Sequence, residues 1–141
     1  EDLHLSQTGS ILGTPSYMAP EIARGEGPID GRADLYAVGC LAHWLLTGQL
    51  VFEGRTYAAM LLAHASEEAS PPSKKAEQAI PPPLDAVVLS CLEKEPQDRV
   101  QTAEDLIAQL DSVELEHPWT NERAEEWWKE HGGDESGLGE A

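Results

Sequence analysis

The chain has 141 residues, enough for one modest domain, and 40% of them are hydrophobic, a normal share for a globular protein. Its 26 acidic and 9 basic residues give a formal net charge of −17, a surface that repels phosphate backbones and anionic lipid and argues against binding nucleic acid or a membrane surface. No apolar run approaches the ~18 residues of a membrane span.

Residues 1–16 are polar and rich in Ser, Thr and Gly, and read as an extended loop. The first residue is Glu and no signal-peptide pattern follows, so the chain is expected to begin inside a larger protein. A short helix is expected around Pro20, then a Gly-Pro loop from Gly25 to Gly31. The strongest helical pattern runs from Gly31 to Thr47, with Asp30 as N-cap and Gly48 just past the end. Leu35, Val38, Leu41, Ala42 and Leu45 form one stripe at helical spacing, and Cys40, Trp44 and Leu46 carry apolar character around the other side. A helix apolar nearly all round belongs at the centre of a domain.

A second helix is expected from Arg55 to Ala65, with Tyr57, Met60, Leu61 and His64 on one face. The stretch Ser66 to Pro83 holds Pro71, Pro72, Pro81, Pro82 and Pro83, and is expected to lack regular structure. A third helix, from Leu84 to Glu93, stops before Pro96. A fourth begins at Thr102, where Thr-Ala-Glu-Asp has the form of a capping box, with Leu106, Ile107, Leu110 and Val113 as its buried face. Thr120 or Asn121 caps a fifth helix carrying Trp127 and Trp128 and ending at Gly132-Gly133. The acidic, glycine-rich end from Asp134 is expected to be disordered. No strand pattern appears, so the expected fold class is all-α.

Cys40 and Cys91 each lie inside an apolar helical segment without a metal-binding spacing. They read as buried free thiols, which fits a reducing, cytoplasmic setting. The histidines (His4, His43, His64, His117, His131) show no ligand spacing, so metal binding is not expected.

The nine residues Gly13-Thr14-Pro15-Ser16-Tyr17-Met18-Ala19-Pro20-Glu21 resemble the end of the activation segment of protein kinases. Three later landmarks follow in the family's order. Asp34-Leu35-Tyr36-Ala37-Val38-Gly39 resembles the start of the central helix of the kinase C-lobe, and Leu46-Thr47-Gly48 with Phe52 resembles its exit. Cys91-Leu92-Glu93-Lys94-Glu95-Pro96-Gln97-Asp98-Arg99 resembles the segment that supplies the C-lobe arginine. The pattern is most similar to bacterial kinases of the eukaryotic-like serine/threonine type. It implies a C-lobe fragment, the activation segment plus helices F to I, over residues 1–113. A helical extension over 114–133 and a disordered acidic tail over 134–141 would follow.

The resemblance assigns Thr14 and Tyr17 to the substrate P+1 region, with Thr14 suggesting Ser/Thr specificity. It pairs Glu21 with Arg99 as a lock between the activation segment and the helical core. On residue type alone, two unrelated surface charges are the better reading, and the surrounding motifs reverse that preference. Asp34 would anchor the backbone of the catalytic loop, and equally fits a helix-cap aspartate. Ser6 and Thr8 align with phosphorylated positions, and equally fit ordinary loop hydroxyls; a phosphate there would order the loop by pairing with arginine.

Phosphoryl transfer needs a nucleotide cradle, a phosphate-binding lysine, magnesium ligands and a base. The chain holds no GxGxxG, no Val-Ala-Ile-Lys-like strand, no His-Arg-Asp and no Asp-Phe-Gly. The expectation is therefore the substrate-binding and regulatory half of an ATP- and Mg2+-dependent Ser/Thr kinase, inactive by itself. Its partners would be a Ser/Thr protein substrate and the N-lobe and catalytic loop of its own domain. The alternative is a non-catalytic, pseudokinase-like protein-binding module.

Overall fold

The computed structural model describes residues 15–54 and 56–132. Ser6, Thr8, Thr14 and the tail expected to be disordered lie outside the described residues. Within them are six α-helices and three short 3-10 turns, with no strand, in keeping with an all-α C-lobe fragment. The 3-10 turn Pro15–Tyr17 leads into α1 (Pro20–Arg24), which opens with a proline and closes on Gly25 at φ 66°.

The central helix, α2, spans Arg32–Thr47. Its N-cap is Gly31; Asp30 sits one residue earlier, and its carboxylate accepts the Arg32 N–H at 2.9 Å. Gly48 closes the helix at φ 68°, donating its N–H to the Trp44 carbonyl. The buried face is Ala33, Leu35, Tyr36, Gly39, Cys40 and His43. The expected stripe is therefore a correction: only Leu35 of it is buried, while Val38, Leu41 and Leu45 are 44%, 45% and 68% exposed. With apolar residues on nearly every side, helical spacing could not choose a face. The neighbours α1, α3 and α4 chose it.

Helix α3 (Tyr57–Ser66) is capped by Thr56, whose hydroxyl accepts the Ala59 N–H at 3.1 Å. It buries Met60, Ala63 and His64 and leaves Tyr57 and Leu62 exposed. The proline-rich connection is more regular than expected, with a 3-10 turn at Pro72–Lys74 and α4 starting at Pro82 (Pro82–Cys91). Prolines there stand where a helix has no use for their missing N–H, so they start elements instead of breaking them. Helix α4 packs closely on α2 because Gly39 has no side chain: a Cβ there would lie 2.6 Å from the Cβ of Cys91.

Helix α5 (Ala103–Asp111) is capped by Thr102, which accepts the Asp105 N–H at 3.0 Å. Of its expected buried face only Leu106 is enclosed; Val113 leans on the core, while Ile107 and Leu110 are exposed. Helix α6 (Asn121–His131) is capped by Thr120 and buries no residue. Trp127 and Trp128 meet edge to face at 4.9 Å, and both are exposed.

Two apolar clusters result. The larger gathers Ala19, Ala33, Tyr36, Cys40, Val51, Phe52, Met60, Ala63, Val88 and Leu92 around the middle of α2. The smaller joins Leu35, Val87, Cys91, Val100 and Leu106. No described helix is long and apolar enough to cross a membrane.

Candidate functional site

Glu21 sits in the first turn of α1, and Arg99 follows the 3-10 turn Pro96–Asp98 that ends the α4 segment. The fold brings them together from 78 residues apart. Arg99 Nη1 donates to Glu21 Oε1 at 2.8 Å and Nη2 to Oε2 at 2.5 Å, a bidentate pair whose side chains are 0% and 8% exposed. The remaining guanidinium N–H groups go to backbone carbonyls. Nε donates to Glu93 at 2.8 Å, Nη1 to Arg32 at 2.9 Å and Nη2 to Lys94 at 3.0 Å. Every N–H of Arg99 is thus used, and its plane lies over the Tyr36 ring at 5.1 Å. Burial alone would raise the Glu21 carboxyl. The hydrogen bonds and charge of Arg99, with a backbone N–H, outweigh that and hold it below its ordinary value.

This junction ties three segments into one unit: the Ala19-Pro20-Glu21 triplet, the first turn of α2 through the Arg32 carbonyl, and the loop after α4. The turn Pro15–Tyr17 rests on both α2 and α3, and Tyr17 is partly buried against the larger cluster. Behind it His64 is fully buried, its Nδ1 2.8 Å from the Tyr36 hydroxyl and its ring edge-on to Phe52 at 5.0 Å. Among the described residues Nε2 has no hydrogen-bond partner. Burial, with the charge of Lys94, pushes His64 down to about 4 against a weak opposing contribution from the Ser16 backbone. Helical spacing puts His64 on one face with Tyr57, Met60 and Leu61 and gives it no role. No local signal links it to Tyr36, 28 residues away.

Two cations close the C-terminal end of α3. Arg24 Nη2 donates to the Ala65 carbonyl at 2.6 Å and Lys94 Nζ to the His64 carbonyl at 3.0 Å. These are carbonyls that a helix end leaves unpaired, and cations suit the negative end of its dipole. Arg24 also pairs with Glu95 at 2.8 Å.

The profile of the protein kinase domain family matches residues 2–119. The chain belongs to the protein kinase domain family. It is 42% identical over 110 residues to a probable serine/threonine-protein kinase of Corynebacterium efficiens, covering 76% of this chain and 16% of that protein. It is 42% identical over 106 residues to the serine/threonine-protein kinase PknB of Mycolicibacterium smegmatis, covering 75% and 17%. With the serine/threonine-protein kinase Pkn1 of Myxococcus xanthus it shares 49% identity over 100 residues, covering 70% and 14%. The chain thus spans roughly one-sixth of the length of the curated relatives it matches.

Within this kinase-family chain the remaining expected site residues separate. Asp34 is exposed in the first turn of α2, on the same side as Val38, Leu41 and Leu45. It belongs to the rim of an open groove between α2 and the start of α5, beside Gln101 and Thr102. Thr14 falls just before the described turn. Among the described residues no group of three or more His, Cys, Asp or Glu side chains could hold a metal ion.

Proposed function

We propose that this chain is the substrate-side and regulatory half of an ATP-dependent serine/threonine protein kinase domain. The observation that carries the reading is the buried Glu21–Arg99 pair. It fixes the end of the activation segment on the helical core, and a substrate-docking surface needs that fixed geometry before it can orient a hydroxyl.

The roles follow from position. Residues 1–113 form the kinase portion, 114–133 a helical extension and 134–141 an acidic tail. Thr14 and Tyr17 border the substrate P+1 region, beside the turn held by α2 and α3. Ser6 and Thr8, ahead of it, are candidate phosphorylation sites, where added charge pairs with arginine. Asp34 anchors the catalytic loop of the same domain. Its exposure supports that reading, because a carboxylate at the N-terminal end of an apolar helix face is placed to receive backbone N–H donors. The exposed Val38, Leu41 and Leu45 extend the same docking face. ATP, Mg2+ and the catalytic base come from the rest of the domain, in a reducing cytoplasmic setting, and the partner is a Ser/Thr protein substrate. Residues 1–141 alone transfer no phosphate, because the sequence motifs for nucleotide and metal are not in them.

The test compares the full-length protein with residues 1–141 in a phosphate-transfer assay with ATP, Mg2+ and a basic Ser/Thr-containing protein. Transfer by the full-length protein only is the expected result. No transfer by either form would favour the pseudokinase-like binding module, and transfer by 1–141 alone would overturn the assignment.

A further inference from the structure

Helix α6 carries apolar surface that no described element covers. It buries none of its residues, and over a short stretch Trp119, Trp127 and Trp128 are 61%, 42% and 64% exposed. Tryptophans grouped in water mark interaction surfaces, because each ring gains on losing its hydration to a partner. The segment itself holds these rings in place. Trp127 stacks on His131 at 4.7 Å and meets Trp128 edge to face, and His131 Nδ1 lies 2.9 Å from the Trp127 carbonyl. The Arg123 guanidinium lies over the Trp119 ring at 5.4 Å while Nη1 donates to the His117 and Pro118 carbonyls.

Asn121, Ala124, Glu125 and Trp128 share one side of α6 at helical spacing and, with Lys129, line an open groove of about 600 Å³. Charge decides what fits there. Residues 114–132 hold six carboxylates against two cations, Arg123 and Lys129. Arg123 is turned to its two carbonyls, and Lys129 is the one cation among the residues lining the groove. Glu125, Glu126 and Glu130 stand next to the tryptophans in the helix, and among the described residues no ion pair engages them. An anionic membrane is a poor match, since helices that lie on such surfaces carry Lys and Arg on their polar face. A second copy of the chain brings the same net charge of −17. A cationic partner satisfies the carboxylates and the ring faces together.

We propose that α6 docks an arginine-bearing basic segment of another protein. One arginine stacks its guanidinium on Trp128 and directs its fork at the Glu125 carboxylate, which lines the same groove. Arginine suits the site better than lysine, because a planar guanidinium both stacks on an aromatic face and engages a carboxylate through two N–H groups. The surface shares no residue with the Glu21–Arg99 junction, so it stands whether or not the chain serves phosphate transfer.

The experiment titrates the full-length protein into fluorescein-labelled hexa-arginine and, in a parallel arm, hexa-lysine, and reads anisotropy at about 0.15 M salt, where long-range attraction is screened. Hexa-arginine should bind roughly 10-fold tighter than hexa-lysine. Trp128→Ala, which changes no charge, should weaken hexa-arginine about fivefold and leave hexa-lysine nearly unchanged. Glu125→Gln should weaken hexa-arginine by a similar factor, whereas Glu104→Gln on α5, the same loss of charge at a residue that does not line the groove, should not. Trp128 is exposed, so its replacement leaves the core packed, and Trp128→Phe, which keeps a ring, should retain most of the affinity. Equal affinity for the two peptides, or equal losses from Glu125→Gln and Glu104→Gln, would mark diffuse attraction to an acidic surface and overturn the proposal. Self-association in analytical ultracentrifugation, or co-sedimentation with phosphatidylserine vesicles, that Trp128→Ala abolishes would assign the face to a second copy or to lipid and overturn it likewise.

Discussion

Arg99 donates through all of its N–H groups and is sealed from water, so its loss strands both the Glu21 carboxylate and three carbonyls. Arg99→Ala or Glu21→Gln in the full-length protein should lower unfolding free energy by about 3–5 kcal/mol, measured by denaturant titration. The double variant should cost much less than the sum. Lysine at position 99 should not restore stability, because an ammonium cannot form the fork.

Protonation acts at the same scale. The folded-state Glu21 pKa is lowered, so its stabilisation is present above the unfolded value of 4.5 and fades as pH falls below it. His64 is also depressed, to about 4 from 6.5, and His43 shifts the same way through burial. His64 is neutral when folded, so its contribution is complete above 6.5 and is lost as pH falls toward 4, and His43 acts in the same direction. Stability should therefore begin to fall near pH 6, before the carboxylates titrate. His64→Gln should flatten that part of the profile, as read from thermal unfolding across a pH series.

At the scale of elements, the contact between α2 and α4 depends on one missing side chain. Gly39→Ala places a Cβ 2.6 Å from that of Cys91. Both atoms sit on packed helices, so the helices must separate. A loss of about 1–3 kcal/mol is expected despite alanine's better helix propensity, and calorimetry would check it. The caps were legible in advance: Thr102 and Gly48 stand at helix ends because their chemistry is local. The inner face of α2 was not legible, since an all-round apolar pattern has no preferred side. The prolines at 72 and 82 were misread for a different reason. Their effect depends on whether they stand at the start or the interior of a helix, and that is fixed by what the helix packs on.

At the scale of the molecule, α2 is packed on one side and open on the other, where Val38, Leu41 and Leu45 flank Asp34. If the rest of the domain covers that side, Leu41→Asp should destabilise the full-length protein by more than 2 kcal/mol, by burying an unpaired charge. The same change should leave residues 1–141 within about 0.5 kcal/mol of the parent chain. Hydrogen exchange across Leu35–Leu46 would show both effects, and equal sensitivity of the two forms would count against a covering segment.

The family and the order of elements were determined by the sequence, because each rests on residue type and spacing along the chain; the Glu21–Arg99 pairing came only through the family resemblance, since residue type alone also fitted two unrelated surface charges. The tertiary structure alone decided that Arg99 also holds Arg32, Glu93 and Lys94, that His64 meets Tyr36, and that Lys94 lies over Phe52. These are contacts across segments, and their strength comes from exclusion of water. Whether a group is buried is settled only when separate helices close over it.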